Sequence, residues 1–406
     1  MPGPLSHIRI LDLSRVLAGP WAGQILADLG ADVVKVERPG VGDDTRGWGP
    51  PFLKDAQGRE TKDAGYFLAV NRGKRSITLD LSRPQGQAIV RRLAARCDVV
   101  LENYKVGTLS KYGLGYEQLK AVNPRLIYCS VTGFGQTGPR RDHAAYDFMI
   151  QATAGLMSVT GERDDLPGGG PQKVGVPVID IMSGMYAAVA VLAALARRAH
   201  SGEGEFIDIG MLDVGVAMLA NQSMNYLISG STPKRAGNKH PNIQPQDVFA
   251  TSDGYVVLVV GNDAQFVKLC EVIGRPELAD DERYRTNAAR VRNQESLLPL
   301  VAGVLRTRGM HEWSERLNEA GVPCGPINTI PDVFKDPQVI ERGMLASIPH
   351  PAAGTVPQVA SPMRFTGAPL SYDRPPPMLG QHSEEILREL GLEAAEIEAL
   401  AKGRVI

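Results

Sequence analysis

Two acidic residues stand out because each lies among apolar neighbours: Asp147 in Ala-Ala-Tyr-Asp-Phe-Met and Asp180 in Val-Pro-Val-Ile-Asp-Ile-Met-Ser-Gly. A carboxylate in such company must be hydrogen-bonded or poised for chemistry. Asp180 stands at the start of a helical run, where free N–H groups favour an anion, and an ionised carboxylate is a nucleophile. The same position suits a plain helix N-cap, and the two roles are compatible. Basic residues recur just after predicted strands: Arg38, Arg46, Arg72, Lys74, Arg75, Lys105 and Lys111. A phosphate-bearing ligand would use such point charges and forked guanidinium groups, while ordinary solvated surface charge is the alternative for each. Ala18-Gly19-Pro20 follows the first predicted strand and opens a helix, so its N–H groups could face an anion. The GxGxxG pattern is absent there, which disfavours a dinucleotide site and leaves a tight turn as the competing reading. His240 and His382 have no partners at metal-ligand spacing, and no GxSxG elbow is present.

The elements that must position these groups are alternating strands and helices. Ile8–Leu13, Asp32–Glu37, Ser76–Leu81, Val99–Glu102 and Leu126–Ser130 read as short buried strands. The helical stretches are AGPWAGQILADLGA, Pro84–Arg96 and the Ala-rich Gly184–Ala199, and this alternation predicts a parallel sheet that binds its ligand at the strands' carboxyl ends. EFIDIGMLD begins a further strand and a long helix toward Tyr226; Ser229–Gln246 is a loop, and about Asp247 to Val322 could form a small α/β unit. Pro323–Pro326 begins a proline-rich return segment, and a last helix covers Ser383–Leu392.

A chain of 406 residues with 43% hydrophobic residues exceeds what one core usually organises, so two units are expected. The net charge of −1 offers no basic stripe for a nucleic acid. Four scattered cysteines without a CxxC pair suit a reducing, cytoplasmic setting and argue against zinc. The longest apolar run, Met185 to Ala196, reads as a buried helix, and no membrane span or leader is expected.

Read in order, RILDLSRVLAGPWAGQILADLGADVVKVERPGVGDDTR, NRGKRSITLDL, ENYKVGTLSKYGLGYEQLKAVNPRLIYCSVTGFGQTGP, VGVPVIDIMSGMYA, VPCGPINT and PPPMLGQH resemble the class III (CaiB/BaiF) CoA-transferase family nearly end to end. TRGWGPPF, PPPMLGQH and Gly-Asn-Lys-His look most like its succinyl-CoA:glutarate branch. The resemblance implies CoA transfer from an acyl-CoA to a small carboxylate, with Asp180 as nucleophile and Asp147 in an auxiliary place. CoA contacts carry over to Val16, Leu17, Ala18, Arg38, Leu79 through Ser82, Asn103, Tyr104, Lys105, Lys111 and Ala144 through Asp147, so including Ala145 and Tyr146. In the dicarboxylate branch Arg46, Trp48 and Arg72 would meet the acid, together with Gly237, Asn238 and His240. No permanently bound cofactor or metal is expected, and the CoA thioester is a substrate. Leu17 and the short Arg235-Ala-Gly-Asn238 loop depart from the formyl-CoA pattern and put oxalate and formate in doubt. A CoA-thioester racemase is the rival activity on the same scaffold, but Tyr146 stands where that branch has a histidine; a non-catalytic CoA-binding protein is the other alternative.

The implied fold is α/β: a Rossmann-like large domain from both chain ends and a smaller α/β domain, in an interlocked ring dimer. The expected division is 1–200 for the first part of the large domain, 201–230 for a linker helix, 231–325 for the small domain and 326–406 for the return.

Overall fold

The computed structural model describes residues 3–406. The chain forms two compact units: one from the residues up to Leu156, Val174–Leu227 and Gln338–Ile406, the other from Met157–Lys173 and Ile228–Pro337. The first unit is built on β1 (Arg9–Asp12), α1 (Ala18–Asp28), β2 (Asp32–Glu37), β3 (Lys74–Thr78), α2 (Pro84–Ala94), β4 (Val99–Glu102), β5 (Ile127–Thr132), α3 (Asp147–Thr153), α4 (Val178–Ser201) and β6 (Glu205–Gly210). The six strands of its main sheet are all parallel, in the order β3-β2-β1-β4-β5-β6. That is a doubly wound order whose direction reverses between β1 and β4, so the loops after those strands flank the crevice where such sheets take their ligands.

The central strands are buried because both faces of the sheet are covered, so that even Lys35 and Lys74 on them are enclosed. Leu11, Val34, Ile77, Val100 and Tyr128 pack with α2 through Ile89, Val90 and Leu93. Their neighbours Ile10, Val33, Val99 and Ile127 pack with Ala22 and Leu26 of α1 and with Ala187, Ala188 and Val191 of α4. The helix Ser383–Glu389 docks on the first face through Ile386 and Leu387, and Arg75 pairs with Glu385 and Glu389 at 2.8 and 2.7 Å.

The direction of α4 fixes the site. In its last turn Arg198 donates to Asp98 Oδ1 at 2.7 Å and to Arg125 O at 3.1 Å. Those residues lie just ahead of β4 and β5, at the amino edge of the sheet. The other end of α4 therefore emerges at the carboxyl edge, as α1 does at its start. Gly184 lets the two helices touch: a Cβ there would stand 2.6 Å from Ala18 O and 3.0 Å from Trp21 Cβ. Although α4 is long and apolar enough by composition to cross a membrane, its Ile179, Ala187, Ala188 and Val191 belong to the core.

In the second unit Cys324–Pro326, Tyr255–Val259 and Gln246–Ala250 form an antiparallel sheet. It is covered by helices that bury Phe266, Leu269, Leu297, Val301, Trp313 and Leu317.

Three features differ from the sequence expectation. Residues 201–230 are no linker: Glu205–Gly210 pairs along β5 as the sixth strand of the sheet. Residues 157–173 join the second unit, where Gly237 N donates to Gly161 O at 3.1 Å. The hairpins Phe52–Lys54/Glu60–Ala64 and Leu345–His350/Gly354–Val359 and the helix Ala394–Lys402 escaped the sequence reading. Polar and proline-rich strands of this kind carry no clear two-residue period.

Because Ala18 O is fixed backbone, Gly184→Ala is expected to destabilise the protein by about 1–3 kcal/mol through overpacking. Thermal unfolding would show this as a lowered midpoint, and an unchanged midpoint would mean that the helices separate freely.

Candidate active site

The helix bearing Asp180 begins without a cap of its own, since Pro177 occupies the N-cap and supplies no side-chain acceptor. Its orphan donors are met from α3. Asp147 Oδ2 accepts from Ile179 N at 2.7 Å and from Asp180 N at 3.2 Å. Gln151, one turn further along α3 and fully buried, donates Nε2 to Asp147 Oδ1 at 2.5 Å and accepts from Val174 N at 2.9 Å. Asp147 thus performs the N-capping that the sequence reading offered to Asp180, and Asp180 is left with its own carboxylate for other work. Gln151 was missed, although its i+4 spacing from Asp147 was the available signal.

The electrostatics differ from the sequence expectation. Burial, reinforced by the Asp147 carboxylate, pushes Asp180 up to about 7, against the pull of the helix start toward an anion. Burial also pushes Tyr66 up to about 12, with Asp180 and then Asp147 contributing. The half-exposed Trp48 meets Tyr66 edge-on, with ring centroids 5.2 Å apart. Trp48 and the unforeseen Tyr66 therefore share the surroundings of the two acids.

A cavity of about 860 Å³ opens at the same carboxyl edge, lined by Arg38, Leu79 through Ser82 and Tyr104, and also by Arg15, Arg83, Arg404 and Ile406. Arg15 pairs with Asp44 at 3.1 Å and lies over the Tyr104 ring; Arg83 pairs with Asp80 at 3.2 Å. Among the described residues, Arg38 and Arg404 have no ion-pair partner, which leaves their guanidinium groups available to a phosphate. The chain terminus could not have been assigned to this cavity without the tertiary fold. Lys105 lines a separate cavity of about 260 Å³, and Lys111 lines neither. Asn103 spends both amide atoms on one residue, accepting from Arg15 N at 2.8 Å and donating to Arg15 O at 2.6 Å. Val16, Leu17 and Ala18 form the turn into α1, beside the level of Gly184. Ala145 packs against Gly133, and Tyr146 is largely exposed at the start of α3.

Four basic residues that the sequence left open are structural. Arg46 is buried over the Phe67 ring, forks onto Glu37 with two bonds of 2.7 Å, and also binds Asp63 and Pro377 O. Arg72 forks onto Asp28 at 2.8 and 2.7 Å and donates to Val359 O at 2.7 Å. Neither pairs with Asp43 or Asp44, and each commits most of its N–H donors to partners inside the fold. Lys74 is enclosed by Asp12, Asn71 and Pro20 O, and Arg75 clamps the helix Ser383–Glu389. His382 accepts from Ser76 N at 3.1 Å. Gly237, Asn238 and His240 belong to the second unit: Gly237 turns at φ 61°, Asn238 is exposed, and His240 Nδ1 accepts from Asn242 N at 3.1 Å. Among the described residues no group of three His, Cys, Asp or Glu side chains could hold a metal.

Comparison with known proteins places the chain in a family. The model of CoA-transferase family III matches residues 5–383. A succinate–glutarate CoA-transferase from Agrobacterium fabrum is 51% identical over 387 residues, covering 95% of this chain and 96% of that protein. A succinyl-CoA:glutarate CoA-transferase from Mus musculus is 44% identical over 404 residues, covering 99% of this chain and 90% of that protein. The crystal structure of a CaiB/BaiF family protein from Brucella suis superposes with a TM-score of 0.86 at 50% identity, covering 96% of this chain and all of that one.

The raised Asp180 value has a thermodynamic consequence. Between the ordinary aspartate range and about pH 7 the folded chain holds a proton that the unfolded chain has lost, so stability falls as pH rises through this window. Asp180→Asn removes that penalty. Its melting temperature should exceed that of the unaltered protein by about 2 °C or more at pH 8 and approach it near pH 4. An equal difference at both pH values would mean that Asp180 titrates normally.

Proposed function

The chain belongs to CoA-transferase family III, and from that premise we propose that it moves CoA from succinyl-CoA to glutarate or a close dicarboxylate through a covalent intermediate on Asp180. The observation that carries the mechanism is the Asp147 carboxylate bonded to Ile179 N and Asp180 N, which frees the Asp180 side chain at the carboxyl edge of the sheet. Near-full-length identity with transferases named for this acid pair supports the substrates. Arg46 and Arg72 do not, because each is forked onto a buried carboxylate, and contacts to the acid from Trp48, Gly237, Asn238 and His240 rest on the resemblance.

The steps follow from the functional groups. An Asp180 oxygen attacks the thioester carbonyl, the C–S bond breaks, and CoA leaves as thiolate from a mixed anhydride. The thiolate attacks the aspartyl carbonyl, which frees succinate and leaves an aspartyl–CoA thioester. Glutarate attacks that thioester and displaces the thiolate, giving a second anhydride. Attack of the thiolate on the glutaryl carbonyl yields glutaryl-CoA and restores Asp180. Each tetrahedral step places negative charge on an oxygen, and in this mechanism the Leu17 and Ala18 N–H groups at the start of α1 receive it. Arg38 and Arg404 take CoA phosphates in the 860 Å³ cavity. We also propose that two copies interlock, an arrangement supported by exposed Met185, Tyr186 and Val189 on α4 and by exposed Met224, Tyr226 and Leu227.

Mass spectrometry after incubation with succinyl-CoA should find CoA attached at Asp180, and Asp180→Ala should lose both adduct and transfer while still binding CoA. More than trace transfer by that variant would falsify the assignment. In the free enzyme kcat/KM should rise with pH through about 7, as the carboxyl ionises.

The substrate claim has its own measurement. With succinyl-CoA as donor, butyrate should react about tenfold or more slowly than glutarate, because only a dicarboxylate offers a second anion for recognition. Equal rates would leave a transferase of broader acceptor range.

A further inference from the structure

The turn between β1 and α1 contains a conformation that its residue type resists. Val16 has φ of 69°, in the left-handed region, where a β-branched side chain is a genuine outlier. Such a residue persists only when its surroundings over-determine it, and such positions gather at working sites. Here the backbone groups leading up to it are held by side chains. Ser14 N donates to Asp12 Oδ1 at 2.9 Å, and Ser14 O accepts from Lys35 Nζ at 2.9 Å. Asn103 holds both backbone groups of Arg15. Val16 N itself donates to Asp43 Oδ1 at 3.2 Å.

Asp43 is built not to move. It is 2% exposed, its Oδ1 also accepts from Thr45 N and Thr45 Oγ1 at 3.0 and 2.8 Å, and its Oδ2 lies 2.8 Å from Lys35 Nζ. Its own N–H donates to Glu37 Oε2 at 3.0 Å, and Glu37 is in turn locked by Arg46. Immediately after Val16 come the Leu17 and Ala18 N–H groups. Because α1 and α4 run in the same direction and touch at Ala18 and Gly184, Asp180, one turn earlier on α4, stands off this end of α1.

We propose that Asp43 is a positioning residue for the transfer reaction: by accepting from Val16 N–H it holds Val16 in the left-handed conformation and so aims the Leu17 and Ala18 N–H groups at the carbonyl that Asp180 attacks. The inference rests on the covalent reading of Asp180. Without the Asp43 acceptor, Val16 relaxes to negative φ and the following peptide turns away from the reacting carbonyl. A displacement on the order of 1 Å at such donors costs about 10²-fold in rate.

The test pairs Asp43→Ala with Val16→Gly and follows kcat and KM for succinyl-CoA. Asp43→Ala should lower kcat about 10²-fold with a much smaller change in KM. Adding Val16→Gly should restore kcat about tenfold or more, because glycine takes this φ without a Cβ penalty and needs less holding. A loss that came only from general loosening would be worsened by glycine. If Asp43→Ala does not fold, the Asp43→Leu background, which keeps side-chain bulk and offers no acceptor to Val16 N, carries the same comparison. The positioning role is overturned by near-native kcat in the Asp43 variant, or by a double variant no faster than the single one. CoA-adduct formation at Asp180 in the unaltered protein separates the two claims. Its absence overturns the covalent reading, whereas an adduct without glycine rescue overturns only the role of Asp43.

Discussion

Everything at the carboxyl edge depends on one carboxylate serving another element's helix. The amino end of α4 is closed by Asp147, which takes two of its orphan N–H groups and is itself held by Gln151. Without that bridge the first turn of a 24-residue helix would present unsatisfied donors at a half-buried site. The same contact sets Asp180's chemistry. It fixes the backbone of the acid while placing a second negative charge beside it, and burial and that charge together bring Asp180 to about 7. In the proposed mechanism, a carboxylate destabilised as an anion in the free protein would be a stronger nucleophile toward the thioester.

Around this pair the sheet edge is a lattice of buried charges. Asp12 faces Lys74 at 2.8 Å, Lys35 faces Asp43 at 2.8 Å, and Glu37 is forked by Arg46. Burial opposes the charge on Asp43, yet Lys35 and the Thr45 donors hold it down to about 2. Buried pairs of this kind add little net stability, because desolvation offsets most of the attraction. Here they fix geometry, since each member also holds a backbone group or another member of the lattice. The turn after β1, the loop after β2 and Asn103 after β4 become one rigid assembly at the reversal point of the sheet.

How much of this was legible follows from the kind of signal each part leaves. Asp32–Glu37 and Val99–Glu102 were readable to the residue, because a strand covered on both faces is an apolar run between polar ends. Asp147 and Asp180 stood out by the same contrast, and Trp48 by its place in a family pattern. The strand opening EFIDIGMLD was read, but its place as the sixth strand of the sheet was not, because pairing partners 78 residues apart leave no local signal. Tyr66 went unnoticed because nothing in its local context is unusual, and Gln151 because its spacing from Asp147 gains meaning only once Asp147 is known to cap α4.

The sequence by itself determined that this is a mixed α/β chain of the CoA-transferase family, with Asp180 at the start of a long Ala-rich helix. Those properties are written in local periodicity and in the order of short motifs. Only the tertiary structure decided which charges are free. Arg46 and Arg72 look in sequence like Arg38, yet the first two end in closed forks with Glu37 and Asp28 while Arg38 faces a cavity that the chain's last residues help to line. Partners such as Asp28 with Arg72, or Arg46 with Pro377 O, are separated by 44 and 331 residues. An arginine's role is set by which acceptors the fold brings within about 3 Å, and no local pattern encodes that distance.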